Sequence, residues 1–123
     1  MGGAGRTHTS GDFQYTYSSN AVFTLTKYIG KGGDVIISPN FQRIKEDAFA
    51  NCTGLTSVQI PGCINKIYDY AFQNCKNLHA VYSEGDAPVL GYNVFEGALT
   101  IYYHTDKSGW SSPTWNGYPT KTY

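Results

Sequence analysis

Apolar and polar residues alternate along this chain in short runs, and the runs return at a fixed interval. In LTSVQIP, residues 55–61, the apolar positions are Leu55, Val58 and Ile60. The last two alternate as a strand requires, and Pro61 ends the run. In INKIYDYAFQNC, residues 64–75, apolar residues fall at Ile64, Ile67, Ala71, Phe72 and Cys75. Spacings of three and four predict a short, mostly helical or 3₁₀ segment. One unit therefore reads as strand, turn, helical turn and return, an α/β repeat.

The unit is written more than once. AFANCTGLTSVQIP begins at Ala48 and AFQNCKNLHAVYSE at Ala71, an offset of 23 residues. Across that offset Ile44 matches Ile67, Ala48 matches Ala71, Phe49 matches Phe72, and Asn51 matches Asn74. Cys52 matches Cys75, Leu55 matches Leu78, and Val58 matches Val81. Forward again, Phe72 maps onto Phe95 while Ala71 becomes Val94; backward, Val58 and Ile60 map onto Val35 and Ile37. A strand that returns after each crossover lies parallel to its predecessor. Stacked coils then bury the repeated Leu, Val, Ile and Phe against their copies, with Phe49, Phe72 and Phe95 as one column. A period of 23 residues falls within the roughly 20–29 of leucine-rich repeats.

An open solenoid exposes apolar surface and strand edges at both ends. The segment Phe13 to Thr26 alternates aromatic or β-branched residues with polar ones, with Ser18, Ser19 and Asn20 as a turn, which predicts a hairpin over the first coil. At the other end Trp110, Trp115 and Tyr118 lie among Gly109, Pro113, Gly117 and Pro119. Two readings stand for these rings: a cover for the last coil, or an exposed aromatic platform for a sugar or protein partner.

Composition narrows the function classes. Formal net charge is zero, nine acidic against nine basic residues spread along the chain. That leaves no basic stripe for nucleic acid and no polybasic tract for a membrane surface. No apolar run is long enough to cross a bilayer. Eleven tyrosines and 14 glycines suit strands and turns. A length of 123 residues makes one domain. Residues 1–11 read as a disordered leader without the apolar centre of a signal peptide. Residues 12–123 read as one repeat domain: 12–34 an N-terminal β cap, 35–98 about three repeats, 99–123 a C-terminal cap.

Candidate chemistry changes this picture little. Cys52, Cys63 and Cys75 are spaced by 11 and 12 residues, without a Cys-x-x-Cys pair, so a zinc site is not expected. Cys52 and Cys75 share one repeat position and are expected as small buried hydrophobes, reduced, with a disulfide between them as the alternative. His8, His79 and His104 have no spacing signature. His104 near Asp106 and Ser108, Ser111 and Ser112 lacks a nucleophile elbow. GKGGD, residues 30–34, leads into a strand and not a helix, so a tight turn is expected there in place of a phosphate loop. The Asn51-Cys52-Thr53 sequon is discounted on the expected burial of Cys52. No catalytic residue, metal or cofactor is expected.

The pattern Ile-x-x-x-Ala-Phe-x-x-Cys-x-x-Leu-x-x-Val-x-Ile-Pro, carried by Ile44, Ala48, Phe49, Cys52, Leu55, Val58, Ile60 and Pro61, resembles the BspA-like class of bacterial leucine-rich repeats. A second copy runs from Ile67 to Val81, with Ser83 and Glu84 in place of the Ile-Pro ending. The segments before and after are similar to that family's flanking segments, so the resemblance covers about residues 12–119. It implies a short right-handed solenoid with a parallel β-sheet. It also implies a non-catalytic adhesion or protein-binding module at a bacterial cell surface or secreted, with a host or bacterial surface protein as partner. A carbohydrate-binding module built on Trp110, Trp115 and Tyr118, or a structural spacer, is the alternative. If Val58 and Ile60 point inward, Ser57 and Gln59 point outward. The equivalent positions are Asp34 and Ile36, Ala80 and Tyr82, and Thr100 and Tyr102, a face expected to be concave and to bind the partner.

Overall fold

The inward alternation of Val35 and Ile37, Val58 and Ile60, Val81 and Ser83, and Ile101 and Tyr103 builds one sheet, strand beside strand. The structure, a computed structural model, describes residues 6–123. Strands β4 (Gly33–Ile36), β6 (Leu55–Ile60), β8 (Ala80–Ser83) and β10 (Thr100–Tyr103) run parallel in that order. Beyond β10, β12 (Tyr118–Thr122) adds in parallel and β11 (Thr114–Trp115) pairs antiparallel to it.

A second sheet lies on the other side of the coil. Strands β3 (Phe23–Tyr28), β5 (Arg43–Ile44), β7 (Lys66–Ile67) and β9 (Val89–Leu90) pair in parallel. Its inward row is Leu25, Ile44, Ile67 and Leu90. Antiparallel β2 (Phe13–Tyr17) and β1 (His8–Ser10) extend it beyond β3. The chain alternates between sheets as β3–β4, β5–β6, β7–β8 and β9–β10. That makes about four turns where about three were expected, because β3 already opens a coil inside residues 12–34.

The helical expectation fails. Among the described residues there is no helix, so the fold is a β-solenoid and not an α/β repeat. Two left-handed residues per coil explain this. Asp47, Tyr70 and Asn93 have φ of 61°, 59° and 46°, and Asn51, Asn74 and Gly97 have 64°, 60° and 89°, each set spaced by the repeat. A left-handed residue cannot continue a right-handed helix, and glycine, followed by Asn and Asp, tolerates it best. Backbone donors accordingly reach the next coil: Phe49 N–H to Ala71 C=O at 2.7 Å, Asn51 to Gln73 at 2.7 Å, Tyr70 to Tyr92 at 2.9 Å and Phe72 to Val94 at 2.9 Å. The Asn74 side-chain amide donates to the Asn51 amide oxygen at 2.8 Å, tying two of these turns together.

Rings fill the centre of the stack. Tyr28, Phe49, Phe72 and Phe95 stack with centroids 5.0, 4.6 and 5.1 Å apart, and Tyr118 meets Phe95 edge-on at 5.3 Å. Close coil spacing sets the glycine of the GKGGD turn: a Cβ on Gly32, whose φ is 93°, would sit 2.5 Å from the Gly54 backbone.

The ends of the stack hold two differences from expectation. The Phe13–Thr26 hairpin forms, and its Phe13, Tyr15 and Phe23 pack against the core. The leader expected over 1–11 does not hold at His8–Ser10: these residues pair with β2, and His8 stacks on Tyr15 at 5.4 Å and Tyr17 at 5.2 Å. Residues 1–5 lie outside the described residues.

Candidate functional site

Parallel pairing places the outward positions of the β4–β6–β8–β10 sheet in two straight rows. One row runs Asp34, Ser57, Ala80, Thr100, and the other Ile36, Gln59, Tyr82, Tyr102, Lys121. The eight positions expected from alternation therefore fall on one face, in register. Ala80 needs correction as a contact: it is only 3% exposed and counts among the buried apolar residues. Its methyl group sits in the row between Ser57 and Thr100 and offers no surface.

Asp34, Ile36, Ser57, Gln59 and Tyr82 line a depression of about 420 Å³, joined by His79. His79 lies next to the buried Ala80 at the start of β8, and no repeated pattern marks it in the sequence. The Asp34 carboxylate is held at one oxygen. Ser57 Oγ donates to Oδ1 at 2.7 Å and Thr56 Oγ1 donates to the same atom at 3.0 Å. These two bonds, Ser57 first, hold its carboxyl below the usual aspartate range. Ile36 is 69% exposed.

Toward β12 the face becomes aromatic. Tyr82 and Tyr102 stack at 4.9 Å with planes 16° apart. Tyr123 meets both edge-on, at 5.4 and 6.1 Å. The Tyr123 hydroxyl donates to Glu84, and His104 stacks on the Tyr123 ring at 4.2 Å while its Nε2 lies 3.3 Å from Glu84 Oε1. The Tyr123 bond, ahead of His104, lowers the Glu84 carboxyl below its ordinary range, whereas burial raises the Tyr123 phenol. Sequence reading missed Glu84, His104 and Tyr123 as neighbours of this face. β12 joins β10 with Ile101 opposite Thr120, an offset unrelated to 23 residues, so the repeat carried no signal for it.

The aromatic platform expected at Trp110, Trp115 and Tyr118 is not exposed as a group. Trp115 is 9% exposed and packs at 4.4 Å against Trp110. Trp110 stacks on Tyr103 at 5.3 Å and donates its indole N–H to Gly85 C=O at 3.0 Å. The Tyr118 hydroxyl receives the Phe95 N–H at 3.2 Å. Trp115 is buried and Trp110 and Tyr118 are half-buried, so the three rings do not form one exposed flat surface.

Other candidate groups are dispersed. The three cysteines are free: Cys75 buried, Cys52 half-buried, Cys63 exposed. The Cys75 thiol donates to Phe49 C=O at 3.0 Å, and burial pushes it up to about 11. Asn51 of the sequon is exposed, unlike the expectation drawn from Cys52. Among the described residues no group of three or more His, Cys, Asp or Glu side chains is placed to hold a metal ion. His104 faces Glu84 and the Tyr123 carbonyl oxygen, not Ser108, Ser111 or Ser112. Among the described residues no helix is long and apolar enough to cross a membrane.

Comparison with known proteins agrees with this geometry. Residues 16–108 match the BspA type leucine rich repeat region, in six copies. No curated protein matches the chain. Among solved structures, a leucine rich cell surface protein from Faecalibacterium prausnitzii A2-165 superposes with a TM-score of 0.66 at 25% identity. That alignment covers 81% of this chain but 33% of the other, so the chain spans about a third of that protein's length. The leucine rich repeat protein of T. pallidum superposes with a TM-score of 0.63 at 19% identity, over 94% of this chain and 64% of the other, a likeness of fold. With its repeat spacing, its stacked parallel sheets and a family match across most of its length, the chain belongs to the BspA-type leucine-rich repeat family.

Proposed function

We propose that the chain is a non-catalytic binding module of a bacterial surface or secreted protein, and that it docks a protein partner on the outer face of the β4–β6–β8–β10 sheet. One observation carries this reading. Tyr82 and Tyr102 stack on each other outside the core, beside the depression lined by Asp34, Ile36, Ser57 and Gln59. Tyrosines held rigid on a sheet bring large contact area at small conformational cost, and such rings dominate interface energy. The family match and the Faecalibacterium cell surface protein support the surface setting. The Trp110 and Trp115 rings, engaged with the last coil, do not favour a glycan platform.

The test is a triple substitution, Gln59, Tyr82 and Tyr102 to alanine. It should fold as the parent does and lose capture of a host or bacterial surface protein by the immobilised domain. Undiminished capture by the triple variant would refute the assignment.

A further inference from the structure

The binding face ends at β4, and that end is an open strand edge. β4 has a neighbour on one side, β6. Gly33 N–H donates to Gly54 C=O at 2.8 Å and Ile37 N–H to Gln59 C=O at 3.1 Å, so the odd-numbered residues serve the ladder to β6. In a parallel pair the alternate residues point their amide and carbonyl groups the other way. Those residues are Asp34 and Ile36, and among the described residues no strand lies on that side. The hairpin β1–β2 extends only the opposite sheet.

An open edge is a template for one more strand. This one, GDVI, carries neither the lysine nor the proline that guard many edges, and its register irregularity against β6 falls at Gly33/Asp34, so that Asp34 to Ile36 pair regularly. Its side chains also specify what is accepted. Asp34 has no ion-pair partner among the described residues, and both hydroxyls that hold it bind Oδ1, which leaves Oδ2 without a hydrogen-bond donor there. Next along the edge, Ile36 is largely exposed. A second copy of β4 would bring another Asp34 into the same short edge, and like charges across strands repel.

We infer that the β4 edge accepts an extended segment of a partner protein as a seventh strand, with an arginine or lysine beside Asp34 and an apolar residue beside Ile36. The main-chain groups of Asp34 and Ile36 supply the strand hydrogen bonds, and the Asp34 carboxylate selects the charge. Such a strand continues both rows of the face, so this inference rests on the reading of that face as a binding surface.

The probe is a short capped peptide alternating valine and threonine around one central arginine, compared with the same peptide carrying glutamate. At low ionic strength the arginine peptide should bind about fivefold or more tightly, because an attractive cross-strand pair replaces a repulsive one. Asp34→Asn should remove that preference. Bound peptide should slow hydrogen exchange at the Asp34 and Ile36 amides. Equal binding of the two peptides, no binding of the arginine peptide at millimolar concentration, or unchanged exchange at both amides overturns the inference. A natural partner that needs Tyr82 and Tyr102 but is indifferent to Asp34→Asn overturns it while leaving the proposed docking face intact.

Discussion

Phe49 and Phe72 lie with ring centroids 4.6 Å apart and planes 14° from parallel, one repeat apart in sequence. Both are fully buried, and Phe72 has a stacked ring on each side. Truncating Phe72 to alanine should cost about 3–5 kcal/mol, a large part of the roughly 5–15 kcal/mol that a domain of this kind has. Its exposed neighbour in sequence serves as control: Gln73→Ala should shift stability by less than about 0.5 kcal/mol. Thermal denaturation of the two variants checks this, and equal melting temperatures would contradict the stacked-coil account.

Thiol chemistry should follow burial. Cys63 should label quickly with a thiol reagent, Cys52 more slowly, and Cys75 only on unfolding. Burial raises the Cys75 thiol from 9.0 to about 11, so the folded state favours its neutral form. The stability linked to this group is complete below pH 9.0 and is lost as pH rises toward about 11. A Cys75→Ala variant should show a shallower alkaline decline of melting temperature than the parent. Identical declines would assign the alkaline effect to other groups, the Tyr123 phenol first among them.

On the acid side the Glu84 cluster should matter. The Tyr123 hydroxyl and His104 keep the Glu84 carboxyl below its ordinary value of 4.5. A depressed carboxyl contributes stability above that value, and the contribution fades as pH falls below it. Glu84→Gln should therefore lower the melting temperature near neutral pH and lose that deficit in acid. A deficit of constant size from neutral to acid would rule out the linkage.

Trp110 should act through packing and one hydrogen bond. Trp110→Phe keeps a ring against Tyr103 and Trp115 but removes the N–H bond to Gly85 C=O. The expected loss is about 1 kcal/mol, while Trp110→Ala should lose about 3 kcal/mol. Urea unfolding of both variants checks the order, and a neutral Trp110→Ala would return the ring to the role of a free platform.

Legibility followed the length of each element. β6, β8 and β10 run four to six residues, so their alternation identified Ser57, Gln59, Tyr82, Thr100 and Tyr102 as outward. β5, β7 and β9 have two residues each, too few for alternation to show. Their apolar positions merged with Ala71 and Phe72 into an apparent helical period. Asn51 and Asn74 repeat the same letter, whereas Asp47 and Tyr70 do not, and the left-handed backbone at all four is a conformational fact that hydrophobic spacing does not encode. Ala80 was placed in the right row, but its burial depends on the size of its neighbours and not on the direction of its Cβ.

The docking face is tested most directly by contact. A photoreactive benzoylphenylalanine in place of Tyr82 sits on the outer row, while the same residue in place of Lys76 sits on the exposed turn between β7 and β8. Exposed to a captured surface-protein partner and irradiated, the Tyr82 position should form a covalent adduct and the Lys76 position should not. An adduct at Lys76 with none at Tyr82 would contradict the account.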